Sequence, residues 1–158
     1  MTMTSNIERS AILGLQRNRS MSLRDELAGV LARDPRYSIH AYAFIFEAIE
    51  YTKNLKKRVQ ARARIRGGRS SKTRHVTGRE LCEGARLLAL SHYGLLAMAV
   101  LNQWGIKATS DLGEIVYNLI RSGDLEKSPA DSRADFDQVY DFETAFRRDF
   151  VLALDDVA

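Results

Sequence analysis

The chain has 158 residues, with 24 Lys and Arg against 20 Asp and Glu, 45% hydrophobic residues, 2 Pro and 1 Cys. A chain of this length buries roughly 70% of the surface its unfolded form exposes, so one core forms without a staple, and the lone Cys82 excludes an internal disulfide. No run approaches the roughly 18 consecutive apolar residues of a membrane span, and the N-terminus carries no secretory signal pattern, so the expected location is the cytoplasm.

The formal net charge of +4 hides an asymmetry along the chain. Eleven basic residues and no acidic one fall between Lys53 and Arg79, which leaves thirteen basic against twenty acidic residues elsewhere. A basic arm over residues 53–79 is thus joined to an acidic body.

Residues 1–21 are polar apart from Ala11, Ile12, Leu13 and Leu15 and read as a flexible tail ahead of one helical domain over 22–158. Ser22 is a helix N-cap residue, with Asp25 and Glu26 in the first turn and Leu23, Leu27, Val30 and Leu31 at helical spacing. Asp34-Pro35 stops that helix, because a residue before proline is biased out of the helical region. Ser38 is placed to cap a longer helix that is apolar almost all round from Ala41 to Ile49. Beyond Tyr51 its apolar pattern thins to Leu55 and Val59 among Lys and Arg, so the helix is expected to leave the core before Gly67-Gly68, where a flexible loop begins.

Thr77-Gly78-Arg79-Glu80 has the pattern of a capping box, in which threonine and glutamate satisfy each other's amides. Leu81, Ala85, Leu88 and His92 follow on one face, Gly94 marks a break, and Gly105 fits a C-terminal cap after Trp104. Thr109 or Ser110 is expected to open the next helix, whose Leu112, Ile115, Val116, Leu119 and Ile120 form an apolar stripe that ends at Ser122-Gly123. Residues 124–140 are acidic and read as an ordered loop held by Leu125, Phe136 and Tyr140; Asp141 then caps a last helix with Phe142, Ala145, Phe146 and Phe150. No segment alternates with period two, so the predicted fold is all-α: a single compact domain of five to six helices with a protruding basic helix end and loop.

Four separated stretches occur in one order: Asp34-Pro35-Arg36-Tyr37 leading to Ala41-Tyr42 and Glu47-Ala48-Ile49-Glu50-Tyr51-Thr52; Arg74-His75-Val76-Thr77-Gly78-Arg79-Glu80-Leu81; Trp104-Gly105-Ile106 with Asp111-Leu112-Gly113-Glu114-Ile115-Val116-Tyr117-Asn118-Leu119; and Asp131-Ser132-Arg133-Ala134-Asp135-Phe136 with Tyr140-Asp141-Phe142. Together they resemble a Minf-type family of short bacterial conserved hypothetical proteins, over residues 23–150. The resemblance implies no particular activity, cofactor or catalytic residue. The chain departs from that pattern ahead of Met21, where twenty residues precede the second candidate start.

The basic arm is the leading functional feature. Lys56, Lys57, Arg58, Arg62, Arg64, Arg66, Arg69, Lys72 and Arg74 could neutralise several phosphates, although a charge run is often only a solvated helix face. No acidic residue alternates with them to pair along such a face, and no aromatic residue interleaves for base stacking, so backbone or shape binding is the expected mode. RNA, ribosomal or otherwise structured, is the expected partner; a protein adaptor contacting an acidic or apolar surface through the arm or residues 117–140 is the alternative. An enzyme acting on an anionic small molecule would need a pocket near His75, Arg79 and Glu80.

The remaining polar residues carry weaker signals. His75 precedes the capping box and reads as a partly exposed hinge residue, His92 as a hydrogen-bonded histidine at the core edge, and Cys82 as a small buried hydrophobe. The three histidines lack metal-ligand spacing, so no metal or cofactor is expected. Asp124, Glu126, Asp131, Asp135, Asp137, Asp141 and Glu143 form an acidic strip without the spacing of a calcium loop, and the basic arm itself is a candidate to dock on it.

Overall fold

The computed structural model describes residues 22–67 and 75–148. Six α-helices pack into one arrangement, with no strand among the described residues: α1 (Leu23–Glu26), α2 (Ala28–Arg33), α3 (Ile39–Ile65), α4 (Gly78–Tyr93), α5 (Ala97–Gln103) and α6 (Thr109–Ser122). Short 3-10 turns cover Gly94–Leu96 and Arg133–Phe136, and a π-type turn covers Thr144–Arg148. The expected flexible tail lies outside the described residues.

The first helix starts as expected. Ser22 and Asp25 form a reciprocal capping box, but the helix divides at Leu27, whose side chain is buried while its φ and ψ of −96° and 6° leave the helical region. Asp34 ends α2, and the chain turns through Pro35 into α3. Ser38 occupies the cap position of α3, yet its side chain makes no capping bond. Its backbone N–H instead donates to the Trp104 carbonyl at 3.1 Å, which ties the start of α3 to the end of α5.

α3 and α4 form the main pair of the core. Ala41, Tyr42, Phe44, Ile45, Ala48, Ile49 and Thr52 of α3 are buried, as are Gly78, Leu81, Cys82, Gly84, Ala85, Leu88 and Ala89 of α4. The capping box at Thr77 and Glu80 is present as the sequence indicates. Gly78–Gln103 is by length and composition apolar enough to cross a membrane, a property masked in the sequence by Arg79, Glu80, Glu83 and Arg86 in its first half. In the fold it breaks at Gly94, whose φ of +54° an L-residue rarely adopts, and Leu81, Leu88, Ala97 and Leu101 turn into the core.

Gly105 caps α5 with φ +96°, and a Cβ there would collide with the Arg36 carbonyl, so both conformation and space require glycine. α6 starts at Thr109, but neither Thr109 nor Ser110 caps it. Asp111 takes that role by accepting from the Lys107 and Ala108 amides at 2.9 and 3.0 Å, while Thr109 Oγ1 accepts from the Val139 N–H at 3.2 Å. The Leu112, Ile115, Val116 and Leu119 stripe is buried; Ile120 is half-buried at its edge.

Residues 124–140 form an ordered loop, as expected. Phe136, fully buried, plugs the space beside Gly78 and Gly113, where a Cβ at Gly113 would lie 2.9 Å from the ring. The Tyr140 hydroxyl donates to the Cys82 carbonyl at 2.8 Å. Asp141 accepts from the Thr144 amide at 3.0 Å, but the turn that follows is π-type rather than a regular α-helix; Phe142 and Phe146 meet edge to face at 5.0 Å on its core side. Phe150 lies outside the described residues.

Candidate nucleic-acid interface

The core ends partway along α3. Thr52 is its last buried residue, and the thirteen residues from Lys53 to Ile65 continue for about 20 Å at 1.5 Å per residue. Val59 and Ile65 are 65% and 86% exposed, although Val59 continues the core-facing direction of the helix. α3 therefore carries its basic end past the body that would cover it.

Lys56 has a different role from the other cations. Its ammonium donates to the Glu80 carboxylate at 2.9 Å and to the His75 carbonyl, so it pins the root of the arm to the N-terminus of α4. Burial raises the carboxyl pKa of Glu80, but bonds from the Thr77 amide and Lys56 outweigh this and hold it below its ordinary value. Lys53 pairs with Glu50 at 3.1 Å. These two lysines thus find their carboxylates on α3 and α4, not on the acidic strip.

Lys57, Arg58, Arg62, Arg64 and Arg66 are exposed, and no carboxylate among the described residues pairs with them. Arg69, Lys72 and Arg74, with the predicted loop, lie outside the described residues. At about 100° per residue, Arg58, Arg62 and the C-cap residue Arg66 form one row, while Lys57 and Arg64 form a second row about 150° around the helix. Between the rows, Asn54, Ala61 and Ile65 make an exposed uncharged face. The like-charged neighbours Arg58–Arg62 and Arg62–Arg66, each four residues apart, repel by roughly 0.2–0.5 kcal/mol per pair, a cost that a bound polyanion removes. The charges are legible in the sequence but their two rows are not, because the rows follow only from a helix that runs unbroken to Ile65.

A second polar constellation lies away from the arm and has no local signature in the sequence. Residues from the Asp34, Asp111 and Asp131 stretches converge where the α2–α3 connection meets α6. Asp34 accepts from Arg36 Nε and Nη2, each at 2.8 Å, and from Asn118 Nδ2 at 2.8 Å; Asn118 also donates to the buried Tyr42 hydroxyl at 3.2 Å. Tyr37 donates to Asp111 at 2.6 Å. Glu114 pairs with Arg36 at 3.2 Å and with Arg133. The Arg36 guanidinium holds the Asp34 carboxyl well below the usual carboxylate range, against burial and with help from Asn118. Each charged group in this cluster has a partner within the protein, which is the pattern of a structural clasp.

The other candidate residues are placed as follows. His92 is exposed on the surface rather than at the core edge and pairs with Glu47 at 2.8 Å. Cys82 is buried, and burial pushes its thiol pKa up to about 12. His75 is half-buried and lines an open pocket of about 690 Å³ with Thr77, Arg79, Pro129, Asp131 and Asp135. Glu80 is turned away to Lys56. Asp131 and Asp135 accept from the Ser128 and Ser132 amides, so both carboxylates hold turns in the wall of this pocket.

No protein-family model matches the chain, and no curated protein or solved structure matches it.

Proposed function

We propose that this protein is a non-enzymatic helical module that binds RNA through phosphate contacts of the basic arm. The observation that carries this reading is the exposed end of α3, where Lys57, Arg58, Arg62, Arg64 and Arg66 stand without a carboxylate among the described residues to neutralise them. Phosphate neutralisation with counterion release is the favourable interaction open to such a surface. No aromatic residue lies between Lys53 and Arg74, so stacking on bases has no carrier and binding depends on backbone position rather than sequence. This function belongs in the cytoplasm, with structured RNA as the partner.

Binding of total RNA by the full chain over a range of salt concentrations tests the reading. With about five phosphates neutralised, the logarithm of affinity falls with the logarithm of salt at a slope of roughly 3.5 to 4.5. Replacing Arg62, Arg64, Arg66 and Arg69 by Ser reduces that slope while helix content by circular dichroism stays close to that of the parent. If the parent chain has no RNA affinity at low salt, or the quadruple variant binds unchanged, the RNA reading fails and an adaptor for an acidic protein surface replaces it.

A further inference from the structure

We propose, resting on the RNA reading above, that the arm lies lengthwise in the major groove of an RNA helix opened by a bulge or internal loop. The Arg58, Arg62 and Arg66 row meets the phosphates of one strand, and the Lys57 and Arg64 row meets those of the other. The carrying observation is the placement of charge on two separated sides of one continuous helix. The rows lie about 150° apart, so the phosphate line of a single strand can satisfy one of them while the other stays in solvent. Two phosphate walls satisfy both.

A helix with its side chains is about 10–12 Å across, so it needs a groove about as wide as the roughly 12 Å major groove of B-form DNA. The major groove of uninterrupted A-form RNA is deep and narrow, so it must be widened by a local interruption. The side of α3 that would face the groove floor is exposed and uncharged: Asn54, Ala61 and Ile65, with Ile65 86% exposed. Asn54 is the single side chain of that face able to hydrogen-bond a base. A regular DNA duplex therefore offers the arm little to distinguish one site from another, whereas a bulge supplies a shape that backbone contacts alone can select. Lys56, anchored on Glu80 and the His75 carbonyl, fixes the direction in which both rows are presented.

Fluorescence anisotropy with the full chain and four probes of equal phosphate number tests this: a bulged RNA hairpin, an uninterrupted RNA duplex, a single-stranded RNA and a DNA duplex. The bulged hairpin is expected to bind at least tenfold more tightly than each of the others. Two exposed-row variants, R58Q/R62Q/R66Q and K57Q/R64Q, are each expected to lower the salt slope on the bulged probe, by roughly 2 to 3 and by about 1.5 respectively. Equal binding of the single strand, or no change in slope when either row is removed, overturns the two-walled seat while leaving the RNA reading intact. Equal binding of the uninterrupted RNA duplex overturns the widened groove, and equal binding of DNA overturns RNA as the occupant. Failure of the parent chain to bind any probe overturns the RNA reading itself.

Discussion

Gly84 of α4 lies directly against the Thr52 side chain of α3: a Cβ built at residue 84 would overlap Thr52 Oγ1 and come within 3.0 Å of Thr52 Cβ. Thr52 cannot swing away freely, because its buried hydroxyl donates to the Ala48 carbonyl at 2.7 Å. This contact sets how closely the two longest helices approach just before α3 leaves the core. Helix propensity alone would favour Gly84→Ala by about 1 kcal/mol, whereas overpacking at such a crossing costs roughly 1–3 kcal/mol, so the net effect is destabilising. Urea unfolding of Gly84→Ala should show the loss, and the loss should shrink when Thr52 is also Ala.

The stripe on α6 gives a second stability test. Leu112, Ile115 and Leu119 are no more than 1% exposed, and each replacement by Ala should cost roughly 2–5 kcal/mol through lost burial and the cavity left behind. Leu95→Ser, at a side chain 60% exposed, should change stability by less than about 0.5 kcal/mol. Losses below about 1 kcal/mol at all three stripe positions would show that α6 packs on another face.

The Asp34 clasp predicts an acid-sensitive contribution. Its carboxyl pKa is depressed in the folded chain, first by the Arg36 guanidinium. The unfolded chain therefore binds the proton more readily, and the stabilisation is present above the unfolded aspartate value of about 3.9 and lost as pH falls through the folded value. Asp34→Asn should flatten the decline in thermal stability measured between about pH 5 and pH 2. Asn118→Ala should cost roughly 1–3 kcal/mol near neutrality, because it leaves the buried Tyr42 hydroxyl without its donor.

Lys56 separates an anchoring cation from the phosphate-binding ones. Glu80 already neutralises it, so Lys56→Gln should lower the RNA salt slope by less than Arg62→Gln does, while lowering thermal stability more. The reverse order would show that Lys56 faces the nucleic acid.

Cys82 should behave as an inert core residue. With its thiol pKa pushed up to about 12 by burial, little reactive thiolate forms near neutral pH. An aromatic disulfide reagent added to the native chain should label it slowly, with rapid labelling when urea unfolds the protein. Fast native labelling would place Cys82 at an accessible site.

The sequence by itself determined the elements whose signals are local. Capping chemistry placed the starts at Ser22 and Thr77, glycine closed helices at Gly67, Gly105 and Gly123, and apolar periodicity identified the buried stripe of α6. It also located the basic arm, because a run of like charge is visible without knowing its surroundings. Tertiary structure alone decided which of those charges are engaged: Lys56 meets Glu80 across 24 positions, a relationship with no local signature. It likewise set the Asp111 carboxylate on the Lys107 and Ala108 amides ahead of α6, moved His92 out to pair with Glu47, and joined Asp34 to Asn118 across 84 positions. Periodicity records which face of a helix is apolar, but the partner of a polar side chain depends on which helices cross and how closely. That was set here by packing such as Thr52 against Gly84.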